Sequence, residues 1–179
     1  MPHGEPTHSQ PHTLILGLGN ILLQDDGVGV RVVEQLAERF SLPEGVAALD
    51  GGARGLALMP FLEGVRRLIV IDAVRTGAPP GTLYRLEGDE IPAFLGPKIS
   101  PHQEGLADLL WAAKAVGPCP DQIVLLGVEP AAVDTGLTLS PEVAAQVAPL
   151  VEHVRRELAR WGYGAEPRAQ SRAAPRQSL

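Results

Sequence analysis

Three runs of seven residues constrain this chain more than anything else in it: residues 13–19 (TLILGLG), 67–73 (RLIVIDA) and 122–128 (QIVLLGV). Each is almost wholly apolar, and each ends at or near a glycine or a carboxylate. Short continuous apolar runs read as strands buried on both faces, and such strands occur almost only in parallel sheets covered by helices. The segments between them fit that reading. Across residues 26–40, Val28, Val32, Val33, Leu36 and Phe40 recur at helical spacing, with Arg31, Glu34, Gln35 and Glu38 on the other face. A further strand at 46–49 runs into Asp50-Gly51-Gly52, and a short helix is expected over 54–62. Pro79-Pro80-Gly81 makes a turn before a short edge strand at 82–86. Residues 87–101 hold three prolines and read as a long loop. Helices are expected over 103–116 and, as one long amphipathic element, over 140–161, where Ser140 is the N-cap and Pro141 sits in the first turn. The pattern predicts an α/β fold: a three-layer α/β/α arrangement with a twisted, mostly parallel sheet of about five strands and helices on both faces. One domain over 13–162 is expected, flanked by tails at 1–12 and 163–179 that lack any periodicity.

Composition removes several classes of function. With 15 Lys plus Arg against 21 Asp plus Glu the net charge is −6, so no basic face is expected for nucleic acid. No apolar stretch approaches the roughly 20 residues of a membrane span, and MPHGEPTHSQPH has neither the basic nor the apolar region of a secretory signal. A cytoplasmic chain is expected, with no membrane partner; oligomeric state is open, and a monomer is the default. One cysteine and five histidines exclude an internal disulfide and a self-contained thiolate zinc or iron-sulfur centre.

Ligands of open α/β sheets sit outside the carboxyl ends of the strands. Four such ends carry carboxylates: Asp25 and Asp26 in GLGNILLQDDGVG, Asp50, Asp72 and Glu129. Gly17-x-Gly19 invites a dinucleotide loop, but Leu22 stands where the third glycine belongs, and Asp25 and Asp26 would repel a phosphate at the helix start. A tight bend explains the two glycines as well. Helix capping accounts for one of Asp25 and Asp26; the second, ahead of Gly27-Val28-Gly29, suits a site that something else approaches. Asp72 closes an apolar strand, where a carboxylate must be paired, hydrogen-bonded or bound to metal. Lys98-Ile99-Ser100-Pro101-His102-Gln103 adds His102 at a helix entry; His3, His8 and His12 lie in a tail, and His153 lies among Glu152, Arg155 and Arg156. A carboxylate of the first loop, Asp72 and His102 form an O,O,N set suited to a divalent transition ion held openly. The H-E-x-x-H and G-x-S-x-G signatures are absent, and Cys119 sits in a Gly-Pro-Cys-Pro turn.

In family order and spacing, LILGLGNILLQDDGVGVRVVE, LDGGARG, LIVIDAV, KISPHQEGLADLL and VLLGVEP resemble the nickel-iron hydrogenase maturation endopeptidases, over residues 13–162. The resemblance implies a protease that removes a short C-terminal extension from a hydrogenase large-subunit precursor after nickel insertion. It places metal contacts on Asp26, Asp72 and His102, and sets Gly51 and Gly52 beside the substrate channel. It also implies that nickel arrives with the substrate: three protein ligands are few for a private site but would complete the coordination of an ion already held by the precursor's cysteines. Two alternatives stand beside metal-assisted cleavage. Asp26 and Asp72 could share one proton and activate water, with nickel serving recognition only, or the chain could bind the large subunit without cutting it. A dinucleotide enzyme is the weakest reading.

Overall fold

In the computed structural model, which describes residues 11–95 and 104–168, each apolar run is a strand. The elements are β1 (Thr13–Leu18), a 3-10 turn (Gln24–Gly27), α1 (Val28–Arg39), β2 (Phe40–Ser41), β3 (Val46–Gly52), a 3-10 segment (Gly55–Leu62), β4 (Arg67–Ala73) and β5 (Leu83–Glu87). There follow α2 (Glu90–Leu95), α3 (Glu104–Val116), β6 (Gln122–Val128), α4 (Pro141–Ala144), α5 (Val147–Arg160) and β7 (Glu166–Pro167). Five strands form one sheet in the order β3-β1-β4-β6-β5. β1 pairs in parallel with β3 and β4, β4 pairs in parallel with β6, and β5 closes one edge antiparallel to β6.

Strand alternation divides the core into two layers, because successive side chains point to opposite faces. Ile15, Ile69, Ile71, Val124 and Leu126 pack under α1 and α5 with Val32, Leu36, Leu150 and Val154. Leu14, Leu16, Leu68, Val70 and Leu125 pack on the other face with Leu58 and Leu62 of the 3-10 segment and Leu106 and Leu109 of α3. Full burial of each such side chain contributes about 1.5–3 kcal/mol, which is why strands without a polar face are stable here. No helix among the described residues is long and apolar enough to cross a membrane.

Three local expectations change. The helix expected over 140–161 is two helices, α4 and α5. Pro149 lacks the N–H that would bond residue 145, and its ring crowds that carbonyl, so the chain breaks just before α5. Ser140 does cap α4, accepting a bond from Val143 N. The loop over 87–101 contains α2. Residues 163–168, read as the start of a tail, are tied down: Ala165 is buried, β7 pairs antiparallel with β2, and Arg168 N donates to the Arg39 carbonyl.

Candidate active site

The winding of the sheet reverses between β1 and β4. From β1 the chain crosses through α1 to β3 on one side and then returns through the 3-10 segment to β4 on the other. The crevice outside the carboxyl ends of such a strand pair is where α/β sheets bind ligands. Gly17 is in register with Ile71, so Asp72 stands beside the exit of β1, whose loop carries Asp26. Two glycines let the elements close on this point. A Cβ on Gly29 would lie 2.2 Å from the Ile71 carbonyl oxygen and 2.4 Å from that of Leu18, so only glycine lets the first turn of α1 sit on the strand backbones. Gly19 has φ +110°, and its N–H donates to the Gly52 carbonyl, joining the first loop to Gly51-Gly52. A cleft of about 80 Å³ opens here, lined by Asp26, Gly19, Gly52, Ala53 and Gly55 and, from the start of α3, Gly105 and Leu106.

Asp26 and Asp72 are both buried, at 4% and 6% exposure. Asp26 Oδ2 accepts a 2.7 Å bond from Asn20 N. Burial, and after it the charge of Asp26, pushes the Asp72 carboxyl well above its ordinary value, against a stabilising bond from the Ala73 N–H. Two carboxylates in such a setting are relieved by a proton or by a cation. Asp50 lies exposed at the end of β3, where Arg54 donates to the Asp50 and Gly51 carbonyls.

The neighbouring carboxylates do different work. Asp25, fully buried, accepts from Ala131 N (2.8 Å), Ala132 N (2.9 Å), Ser140 N (2.7 Å) and Ser140 Oγ (2.8 Å), fastening the loop after β6 to the loop after β1. Capping therefore explains neither aspartate: the N-cap of α1 is Gly27, which makes no side-chain bond. Glu129 accepts from Thr76 N, Thr76 Oγ1, Gly77 N and Tyr84 Oη. Burial pushes its carboxyl up, but those bonds together outweigh burial and hold it below its ordinary value. Glu129 is thus a loop clamp rather than a member of the site. Asn20 holds Asp26 through its backbone N–H, a role set by the turn after Gly-Leu-Gly and not by side-chain chemistry.

His102, the third residue expected here, lies outside the described residues. Among those described, no group of three or more His, Cys, Asp or Glu side chains is disposed to hold a metal ion. As a pair of hard oxygen donors Asp26 and Asp72 fit a cation, and an ion at this edge would need further ligands from beyond that pair. A larger hollow of about 450 Å³ at the amino ends of β4 and β6 is lined by His12, Arg66, Arg67 and Asp121. Its charges are already matched, Arg66 to Asp121 and Arg67 to Gln122 and the Trp161 carbonyl.

Residues 30–157 match the family model described as hydrogenase maturation protease. The chain is 45% identical over 159 residues to the hydrogenase expression/formation protein HupD of Rhodobacter capsulatus, covering 88% of this chain and 76% of that protein. It is 42% identical over 156 residues to the hydrogenase 2 maturation protease of Escherichia coli, covering 87% of this chain and 95% of that one. Among solved structures it is similar to the hydrogenase maturating endopeptidase HybD of Escherichia coli, with TM-score 0.83, 42% identity and coverage of 88% and 98%. It is also similar to the [NiFe] hydrogenase maturation protease HybD of Thermococcus kodakarensis, with TM-score 0.70, 32% identity and coverage of 82% and 98%.

Proposed function

The chain belongs to the hydrogenase maturation protease family and is a peptidase, and from that premise we propose that it removes the C-terminal extension of a nickel-iron hydrogenase large-subunit precursor in the cytoplasm once nickel is in place. Asp26, Asp72 and His102 contact the nickel that the precursor carries, which makes cleavage conditional on metal insertion. The observation behind this reading is the buried pair at the sheet reversal, where the charge of Asp26 opposes ionisation of Asp72. That edge favours a cation, and the strand-end geometry presents it to a partner.

Nickel held there would supply Lewis acidity toward the scissile carbonyl. The chain's own part is proton movement and positioning. A carboxylate oxygen of Asp26 or Asp72 not turned to the metal would accept a proton as water adds to the carbonyl carbon, and the leaving amide nitrogen would take up that proton as the C–N bond breaks. Asn20 N–H fixes the Asp26 carboxylate while this happens.

Incubation with matched nickel-loaded and nickel-free precursor, read by mass spectrometry, tests the proposal. Loss of a C-terminal peptide from the loaded form alone is expected; an uncut loaded precursor would refute it. The raised Asp72 also suits a second reading in which the two aspartates activate water alone and nickel serves recognition. Equal cleavage of precursor loaded with a divalent ion of much weaker Lewis acidity would favour that version.

A further inference from the structure

The loop between β1 and α1 exposes large apolar side chains in the segment that leads to Asp26. Leu22 is 56% exposed and Ile21 is also exposed. Across from them, Leu137 in the loop after β6 is 63% exposed. These side chains do not sit on slack chain. Gly136 N donates to the Leu22 carbonyl and Gln24 N to the Gly136 carbonyl, both at 2.9 Å, and Leu23 forms a parallel bridge with Gly136. Asp25 N donates to the Ala132 carbonyl, and the Asp25 carboxylate holds the same loop through its four bonds.

Keeping this arrangement is unfavourable locally. Gln24 adopts φ +47°, a left-handed conformation that costs a residue with a side chain about 1–2 kcal/mol. Its Oε1 is buried without a hydrogen-bond partner, and a Cβ on Gly136 would lie 2.9 Å from Gln24 Cγ. Strain of this kind persists where the surrounding structure over-determines it, and it clusters at functional sites. Here the over-determined result is a rigid pair of loops that turn leucine and isoleucine to solvent.

We propose that Ile21, Leu22 and Leu137 form an apolar docking rim that binds an apolar stretch of the precursor flanking its cut site. This rests on the peptidase reading above. The rim is continuous with the candidate active site: the loop carrying Ile21 and Leu22 ends at Asp26, and Asn20, one residue before Ile21, donates to the Asp26 carboxylate. A protein segment held on these side chains is therefore held at the loop that carries Asp26. Affinity comes from removing them from water, and position comes from their fixed backbone. The carboxylate pair reads the metal while the rim reads the protein around it.

Single-turnover cleavage of nickel-loaded precursor tests the rim, since its concentration dependence separates half-saturation from the maximal rate. Leu22→Lys and Leu137→Lys are exposed changes that leave the fold intact, which thermal melting verifies. Each should raise half-saturation about tenfold or more, with the maximal rate within about twofold. Leu22→Met should behave as wild type. Val116→Lys, at the far end of α3, is an exposed apolar control that should change nothing. Unchanged half-saturation in both rim variants would overturn the proposal. So would a wild-type dimer in sedimentation that Leu22→Lys dissolves, because the rim would then serve a second copy of the chain. Binding of the loaded precursor, titrated in parallel, keeps the two ideas apart: a precursor that binds but is not cut refutes the peptidase reading, while equal binding to wild type and rim variants refutes the rim.

Discussion

Asp25 and Asp26 are adjacent and both buried, yet replacing them should have opposite signatures. Asp25→Ala removes the acceptor of four bonds between 2.7 and 2.9 Å. Three backbone N–H groups and one hydroxyl would be left in a place that Asp25 now fills without any solvent exposure. Each unmatched buried donor costs about 1–3 kcal/mol. Water entering the vacated space recovers part of this, so the net loss should be about 3–5 kcal/mol, the range for breaking a buried charged network from one side. At about 2–4 °C per kcal/mol for a chain of this size, the melting temperature should fall by about 6–20 °C. Asp26→Asn keeps an oxygen for the Asn20 N–H and removes the charge that opposes Asp72. Its melting temperature should move by only a small fraction of that drop while cleavage disappears. Calorimetric melts, and cleavage of nickel-loaded precursor below both melting ranges, give the comparison. An Asp25→Ala protein that melts with wild type, or an Asp26→Asn protein that melts as low as Asp25→Ala, would refute the division of labour.

Other outcomes follow from the same geometry. Asp72→Asn should melt higher than wild type at neutral pH and fail to cut, because an amide escapes the burial and the Asp26 repulsion that disfavour the carboxylate; a lower melting point would contradict this. Gly29→Ala should destabilise by about 3 kcal/mol or more, since its methyl would overlap the Ile71 and Leu18 carbonyls; a soluble variant with a wild-type melt would show that α1 can shift freely. Arg85 binds the buried Glu157 through bonds of 2.8 and 3.0 Å and, first among several causes, holds its carboxyl below the ordinary value. A depressed carboxyl contributes stability that is present above its unfolded value and is lost as pH falls through the folded one. Arg85 is one-third exposed, so Arg85→Met should cost about 1–2 kcal/mol at neutral pH and flatten acid unfolding below about pH 4.5; an undiminished acid dependence would exclude Glu157 as its source.

The sequence carried the strands well because nothing competed with them. RLIVIDA and QIVLLGV are apolar on both faces, and β4 and β6 begin and end where those runs do. Amphipathic spacing served worse over 140–161: it continues across the break between α4 and α5, and the break is set by Pro149, whose effect is on the backbone. β7 is two residues long and takes its identity from β2, far back in the chain, so composition alone made it a tail. The site was legible as a set of strand ends, which is a property of local order plus one topological rule. What could not be read was the role of each carboxylate, because the partners that decide it are remote. Asp25 meets Ala131, Ala132 and Ser140 at separations of 106 to 115 residues, and Glu129 meets Thr76 at 53.

Local geometry explains how neighbours in sequence come to serve different sites. Asp25 and Asp26 lie in a 3-10 turn, where successive side chains point about 120° apart. One therefore reaches the loop after β6 while the other faces the cleft between β1 and β4. The setting of Asp26 includes the Asn20 N–H and the close approach of Gly19 to its backbone, while the Asp25 carboxylate bonds the loop after β6. Asp25 instead holds the loop that presents Leu137. If Leu137 belongs to a docking rim, then Asp25→Ala, assayed at a temperature where it is fully folded, should weaken half-saturation for the nickel-loaded precursor and leave the maximal single-turnover rate near that of wild type. A structural residue near a catalytic carboxylate would ordinarily be expected to damage both. A fall in the maximal rate with half-saturation preserved would mean that the Asp25 network positions Asp26 after all, and the separation between docking loop and catalytic pair would have to be abandoned.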